Sequence, residues 1–71
     1  MKLSDSMQKK VFTTNKNAQS MYELERETGM TYSAVAAVIR DGLKTGRIKM
    51  YWRRNGESRA VRVYLDSKEK P

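Results

Sequence analysis

The segment 31–48 constrains the fold more than any other, because its apolar residues recur at the spacing of an α-helix. Four of them lie at i, i+3, i+4 and i+8 and share one stripe of a helix with a 3.6-residue repeat. They are Val35, Val38, Ile39 and Leu43. The pattern predicts a helix over about 32–45 whose apolar stripe faces the protein core.

The opposite face of this predicted helix combines small side chains with hydroxyl groups and positive charge. Ala36 and Ala37 let the helix backbone approach another surface closely, and Arg40 is the residue type that pairs with guanine edges or phosphates. The face is typical of a DNA recognition helix, and an ordinary amphipathic helix with a solvated basic face fits it equally well. The candidate DNA-binding residues here are Thr31, Tyr32, Ser33, Ala36, Ala37, Arg40 and Lys44.

The residue types that the chain lacks exclude most catalytic chemistry. Its 71 residues include no cysteine and no histidine, so there is no thiolate nucleophile, disulfide, ordinary zinc site or imidazole base. A single small core also leaves little volume for a ligand pocket. We therefore expect no enzyme activity, no catalytic residue, no metal or other cofactor, and no small-molecule ligand.

The charge balance indicates a polyanionic partner. Fifteen Lys and Arg residues against eight Asp and Glu residues give a formal net charge of +7. The isoelectric point is about 10.0, and a protein this basic attracts nucleic acid. No apolar run is long enough to span a membrane, and the N-terminus lacks the pattern of a secretory signal. These features predict a cytoplasmic protein without a membrane partner.

Two shorter helices are predicted before the recognition helix. Ser4 and Asp5 suit a helix start, and the four-residue spacing of Leu3, Met7 and Val11 predicts a first helix over about 5–14. The nearby basic residues read either as a solvated face or as peripheral phosphate contacts. They are Lys9, Lys10 and Lys16.

The second predicted helix, over about 21–28, begins at a capping box formed by Ser20 and Glu23. Gly29 suits the positive φ of a helix C-cap, and Thr31 is placed to cap the next helix. The two helices therefore form a helix-turn-helix. The outer surface of the second helix is acidic through Glu23, Glu25 and Glu27, and is not expected to face phosphates.

After Gly46 the apolar period changes from 3.6 to 2, which predicts two β-strands over about 47–54 and 57–65. Asn55 and Gly56 between them indicate a two-residue hairpin turn. That turn predicts a register in which apolar residues pair on one buried face. The predicted pairs are Ile48 with Val63, Met50 with Val61, Trp52 with Arg59 and Lys49 with Arg62, while Tyr51 and Tyr64 share the other face.

Most of the net charge lies between Arg40 and Arg62, where there are eight basic and two acidic residues. At the hairpin tip such residues bind phosphates or enter a minor groove, or else protect an edge strand from pairing between molecules. Trp52 either covers the open end of the core, with Arg59 stacked on it, or contacts a partner. The candidate DNA-binding residues of the hairpin are Lys49, Arg53, Arg54, Asn55, Arg59 and Arg62.

The order of these elements resembles a known superfamily. The run 24–35 has a leucine in its first helix, the turn Gly29-Met30-Thr31 and a valine four residues after the cap. It resembles the helix-turn-helix of winged-helix DNA-binding domains, and the continuation through Gly46 resembles their helix-to-wing transition. The resemblance spans 20–65. Gly42 departs from the pattern, because a larger apolar residue is usual there, and suggests close packing of helix on helix.

The resemblance implies an α+β winged helix with three helices and a two-stranded antiparallel wing. It implies a single domain over 1–65, followed by a flexible tail over 66–71, and a small stand-alone regulator of bacterial, phage or plasmid type. We expect sequence-specific binding of double-stranded DNA, with the third helix in the major groove and the wing on the backbone or minor groove. A homodimer and cooperative binding on adjacent sites both stay open. The alternatives are a winged-helix protein-interaction adaptor and a non-specific nucleic-acid or RNA-binding protein.

Overall fold

The computed structural model describes residues 10–56 and 59–71, and within them the chain forms two helices and one hairpin. The elements are α1 (Met21–Thr28), α2 (Tyr32–Thr45), β1 (Ile48–Arg54) and β2 (Ala60–Asp66), with the two strands antiparallel. The bounds predicted for the second and third helices are confirmed. The α+β class is also confirmed, whereas the predicted architecture of three helices and a wing is wrong.

The error lies in the predicted first helix over 5–14. Residues 10–14 form no helix, Phe12 makes a parallel bridge to Trp52, and residues 5–9 lie outside the described part of the chain. The Trp52 amide donates to the Val11 carbonyl at 2.8 Å, and the Thr13 amide donates to the Trp52 carbonyl at 2.9 Å. β-Branched residues favour such extended backbone, and the edge of β1 supplies the hydrogen-bond partners that a helix would have supplied internally.

The helix-turn-helix is held by local hydrogen bonds at its caps. The Ser20 hydroxyl accepts from the Glu23 amide at 3.2 Å, while the Glu23 carboxylate accepts from the Ser20 amide at 2.9 Å. Gly29 ends α1 with a φ of 73°, a conformation that costs little without a Cβ. The Thr31 hydroxyl accepts from the Ala34 amide and starts α2. The predicted caps are therefore confirmed.

The buried side of α2 differs from the predicted stripe. Val35, Ile39 and Gly42 are buried, whereas Val38 is 54% and Leu43 is 42% exposed. A Cβ on Gly42 would lie 2.7 Å from Cγ1 of Ile48. The absence of a side chain therefore lets α2 pack closely against β1, and the predicted helix-on-helix contact is replaced by a helix-on-strand contact.

The hairpin also differs from prediction, because its register is shifted by three residues. Arg54 pairs with Ala60, so the connection consists of residues 55–59, and the Asn55 amide donates to the Arg59 carbonyl at 2.9 Å. Since successive side chains of a strand point to opposite faces, an odd shift exchanges the face that one strand presents. Tyr51, rather than Ile48, therefore lies opposite Val63.

The register defines two faces of the hairpin, which we call the helix face and the core face. The helix face comprises the pairs Ile48–Asp66, Met50–Tyr64, Trp52–Arg62 and Arg54–Ala60. The core face comprises Lys49–Leu65, Tyr51–Val63 and Arg53–Val61. Tyr51 and Tyr64 consequently lie on opposite faces, and the prediction that they share one is wrong.

The core face is covered by the chain that precedes α1. Phe12 bridges Trp52 at the outer edge of β1, whereas Gln19 bridges Tyr64 at the outer edge of β2. The intervening residues 13–18, which we call the crossing segment, pass from one edge of the hairpin to the other. Ala18 forms a buried cluster with Val63 and Leu65, and Tyr51 packs against it. Other parts of the chain therefore pack against both faces of the hairpin: α2 on the helix face and the crossing segment on the core face.

The last residues continue from β2 toward the crossing segment. The Ser67 amide donates to the Arg47 carbonyl at 2.8 Å, and the Asn15 side-chain amide donates to the Lys70 carbonyl at 2.7 Å. β2 itself ends at Asp66, one residue beyond the predicted domain end. The flexibility predicted for 66–71 stays a prediction.

Candidate nucleic-acid interface

The outer side of α2 presents the predicted combination of small and basic residues. Ser33, Ala37, Arg40 and Lys44 are exposed and lie opposite the buried side of the helix. Ala36 is partly buried, and the hydroxyl of exposed Thr31 is occupied in capping the helix. Small and basic side chains therefore remain exposed on this side of α2 over more than two helical turns.

The N-terminus of α2 lies beside the tip half of the hairpin. Tyr32, the first residue of α2, lines an open groove of about 600 Å³ together with Trp52 and Arg62 of the helix face. Tyr22 of α1 lines the same groove. The structure thus brings the start of the predicted recognition helix next to Arg62 of the hairpin, although the two are about thirty residues apart in the sequence.

Three of the predicted hairpin cations are exposed at or near the tip, namely Arg54, Arg59 and Arg62. Asn55 is exposed in the connection between the strands, and Lys49 is exposed on the core face. Lys49 is therefore separated from the helix-face cations, because the sheet lies between them.

Arg53 occupies a different place from its neighbour Arg54. Its guanidinium hydrogen-bonds both carboxylate oxygens of Glu23 at 2.9 Å, and it also donates to the Ala18 carbonyl at 3.1 Å. The prediction that places Arg53 with the phosphate-binding residues of the tip does not match this arrangement. Arg53 instead links β1 to the start of α1 across the end of the crossing segment.

The Glu23 carboxylate is the titratable group that this arrangement perturbs. The hydrogen bond from the Ser20 amide, followed by the bonds and charge of Arg53, lowers the pKa of Glu23 below its ordinary value, against the opposing effect of burial. Glu23 is therefore ionised and engaged at neutral pH. Its pairing with the Arg53 cation offsets one of the negative charges that α1 presents to an approaching polyanion.

The aromatic residues near the tip hold cations that the sequence pattern did not predict. The Lys10 ammonium lies 4.7 Å from the centre of the Trp52 ring, and Arg62 lies 5.8 Å from it. Arg54 lies 4.8 Å from the centre of the Phe12 ring. The predicted stacking of Arg59 on Trp52 is replaced by these contacts. The apolar spacing in 5–14 predicted a helix and therefore did not indicate the contact of Lys10 with Trp52. The β-branched residues 11, 13 and 14 favour extended backbone and were the signal that could have indicated it.

The described residues offer little for other kinds of site. Residues 10–56 and 59–71 contain no group of three potential metal ligands. No helix among them combines the length and apolar character needed to cross a membrane.

Known proteins give no guide to the role of this surface. Comparisons with protein-family models, curated proteins and solved structures found no match to the chain.

Proposed function

We propose that this protein binds double-stranded DNA in a sequence-specific manner and acts as a small transcriptional regulator. The observation that supports this most is the groove in which Tyr32, at the start of α2, meets Arg62 of the hairpin. A helix of 14 residues with an open basic side and a neighbouring set of arginines matches what a major groove and its flanking phosphates require. In a bacterial or phage setting the regulator acts in the cytoplasm.

In this proposal α2 enters the major groove and reads base edges. Its first turn holds no acidic residue, so the partial positive charge of the helix N-terminus adds to the attraction for phosphate. Tyr32 and Ser33 are the candidate readers in this turn. Arg40 is placed to reach a guanine edge or a phosphate at the groove margin.

The hairpin supplies affinity in this proposal rather than sequence preference. Arg54, Arg59 and Arg62 bind phosphates beside the groove that α2 occupies. Arg53 is left out of this set, because Glu23 and the Ala18 carbonyl already satisfy it. The resemblance to winged-helix domains enters the proposal only over 20–65, where the helix-turn-helix and the hairpin support it.

A protein-interaction role is the second candidate. Val38 and Leu43 are exposed on the two flanks of α2, and apolar side chains there favour contact with another protein. This role differs from DNA binding in its salt dependence, since apolar contacts release few counterions.

Selection of duplex DNA by the purified protein, followed by titration at several salt concentrations, tests the proposal. About five phosphate contacts predict a slope near −4.5 for the logarithm of affinity against the logarithm of salt concentration. An enriched palindrome indicates a dimer, and a single short motif indicates a monomer. A flat salt dependence, or no duplex binding at low salt, contradicts the proposal and favours the protein-interaction role.

A further inference from the structure

The helix face near the hairpin tip carries a row of side chains contributed by three separate chain segments. Phe12 bridges Trp52, and Trp52 pairs with Arg62, so these residues lie side by side across the sheet. Bridged residues on adjacent strands place their side chains on the same face. The extended chain before the crossing segment therefore belongs to the same surface as the hairpin cations.

Two aromatic rings in this row hold three cations. Trp52 lies beneath the Lys10 ammonium and within 5.8 Å of Arg62, while Phe12 lies 4.8 Å from Arg54. Phe12 remains 41% exposed despite its contact. The rings thus form a platform on the surface and are not part of the buried core.

None of the three cations forms an ion pair with a carboxylate among the described residues, although Glu25 lines the groove that also contains Trp52 and Arg62. Over 10–56 and 59–71 the ion pair that the structure shows is Arg53 with Glu23, on the core face. Like charges repel, and three neighbouring cations without a direct ion pair among the described residues are stabilised by a bound anion. Arg53, the residue before Arg54 in β1, differs from them because its guanidinium binds Glu23 and the Ala18 carbonyl.

Stacking on a ring leaves these cations able to bind an anion. A guanidinium that lies over an aromatic face keeps its N–H donors in its own plane, and an ammonium keeps donors directed away from the ring. The contact also restricts the rotamers of long side chains, so less conformational entropy is lost when phosphate binds. The platform therefore prepares the cations for polyanion binding.

We propose that Lys10, Arg54 and Arg62 form one phosphate-binding cluster on the platform of Phe12 and Trp52. The chain around Lys10 is then a third DNA-binding element beside α2 and the hairpin, and the two aromatic residues position the cations. This inference rests on the proposed function, because it assigns the phosphates of the same duplex. It adds a contact from a segment that helical spacing assigned to a first helix.

Lys10→Ala tests the new contact directly. Removing one phosphate contact makes the slope of log affinity against log salt shallower by about 0.9. Lys16→Ala is the matched control, because Lys16 is an exposed lysine of the crossing segment on the opposite side of the sheet. Lys16→Ala should leave the slope unchanged, and Lys10→Arg should restore the wild-type slope because it keeps the charge.

Phe12→Leu tests the positioning role separately. Leucine keeps an apolar side chain and removes the ring, so Arg54 can still bind phosphate but is less ordered beforehand. We expect affinity to fall about two- to fivefold, in line with an exposed cation–π contact, while the slope stays at its wild-type value. Arg54→Ala should instead reduce both affinity and slope. Circular dichroism of each variant checks that the fold is kept.

The results distinguish this inference from the proposed function. If the wild-type protein binds duplex DNA with a steep slope while Lys10→Ala and Lys16→Ala both match it, the cluster is refuted and DNA binding stands. If Phe12→Leu leaves affinity unchanged, the platform has no positioning role. If the wild-type protein shows no salt-dependent binding to duplex DNA, the proposed function fails first.

Discussion

Replacing Arg53 and Arg54 one at a time separates a structural arginine from a phosphate-binding one. The two residues are adjacent in β1, yet Arg53 binds Glu23 and the Ala18 carbonyl while Arg54 stacks on Phe12. Arg53→Ala should therefore destabilise the fold and leave the salt slope of DNA binding intact. Arg54→Ala should make the salt slope shallower and change the stability of the fold little.

The expected loss for Arg53→Ala follows from its contacts. The side chains of Arg53 and Glu23 are 35% and 40% exposed, so solvent screens the pair and it contributes on the order of 1 kcal/mol or less. Ala18 is fully buried, and loss of a donor to its carbonyl costs about 1 kcal/mol more. The sum is about 1–2 kcal/mol. Arg54→Ala removes an exposed cation–π contact and should cost less than about 1 kcal/mol.

Two measurements check this pair of variants. Urea denaturation should show a midpoint lower by about 1 M for Arg53→Ala, given a slope of about 1–2 kcal/mol per molar for a small domain. Titration of duplex DNA at several salt concentrations should give a slope shallower by about 0.9 for Arg54→Ala alone. Arg53→Lys is the control for charge, because it keeps the cation and loses the two-pronged geometry.

A reduced salt slope for Arg53→Ala would contradict a purely structural role for Arg53. Such a result means that Arg53 leaves Glu23 and binds phosphate in the complex. Unchanged stability of Arg53→Ala would likewise contradict the assigned role of the ion pair.

Three further variants test the packing, the pH dependence and the recognition helix. Gly42→Ala gains about 1 kcal/mol of helix propensity but costs about 1–3 kcal/mol in overpacking against Ile48. Urea denaturation should therefore show a net loss of stability, and this loss should be smaller in the Ile48→Ala background. Since the folded pKa of Glu23 is lowered, its contribution to stability is present above the unfolded pKa and is lost as pH falls through the folded value. Glu23→Gln should therefore flatten the fall in stability below about pH 4.5. Arg40→Ala should cost about 1–3 kcal/mol on the selected DNA site and much less on random DNA; equal losses on both would make Arg40 a phosphate contact.

The helix-turn-helix was predictable because its signals are local. The capping box of Ser20 and Glu23, the positive-φ Gly29 and the cap at Thr31 each act within four residues, so neighbouring residues alone decide where α1 and α2 begin and end. The existence of a hairpin after Gly46 was predictable for the same reason, since alternation is a local pattern.

The register of the hairpin was not predictable in this way. Asn55 and Gly56 favour a two-residue turn, but the tertiary structure uses a connection over 55–59. With the longer connection, Val63 and Leu65 of β2 pack with Ala18 of the crossing segment, while Ile48 meets Gly42 of α2. Burial on both faces outweighs the preference of one turn, because a register shift changes the environment of every side chain in a strand.

The residues of the candidate site also differ in whether a local pattern predicts their role. Exposed Arg40 and Lys44 follow from the helical repeat alone, because the repeat determines which side of α2 is opposite its buried residues. The separate roles of Arg53 and Arg54, and the contact of Lys10 with Trp52, depend on chain segments that are distant in sequence. The sequence alone was enough to predict α1, α2, the presence of a hairpin and the positive charge, whereas the helical spacing over 5–14 led to a wrong prediction. The tertiary structure was needed to show which cations are engaged within the fold and which, among residues 10–56 and 59–71, have no ion-pair partner, because that depends on which distant segment lies beside each one.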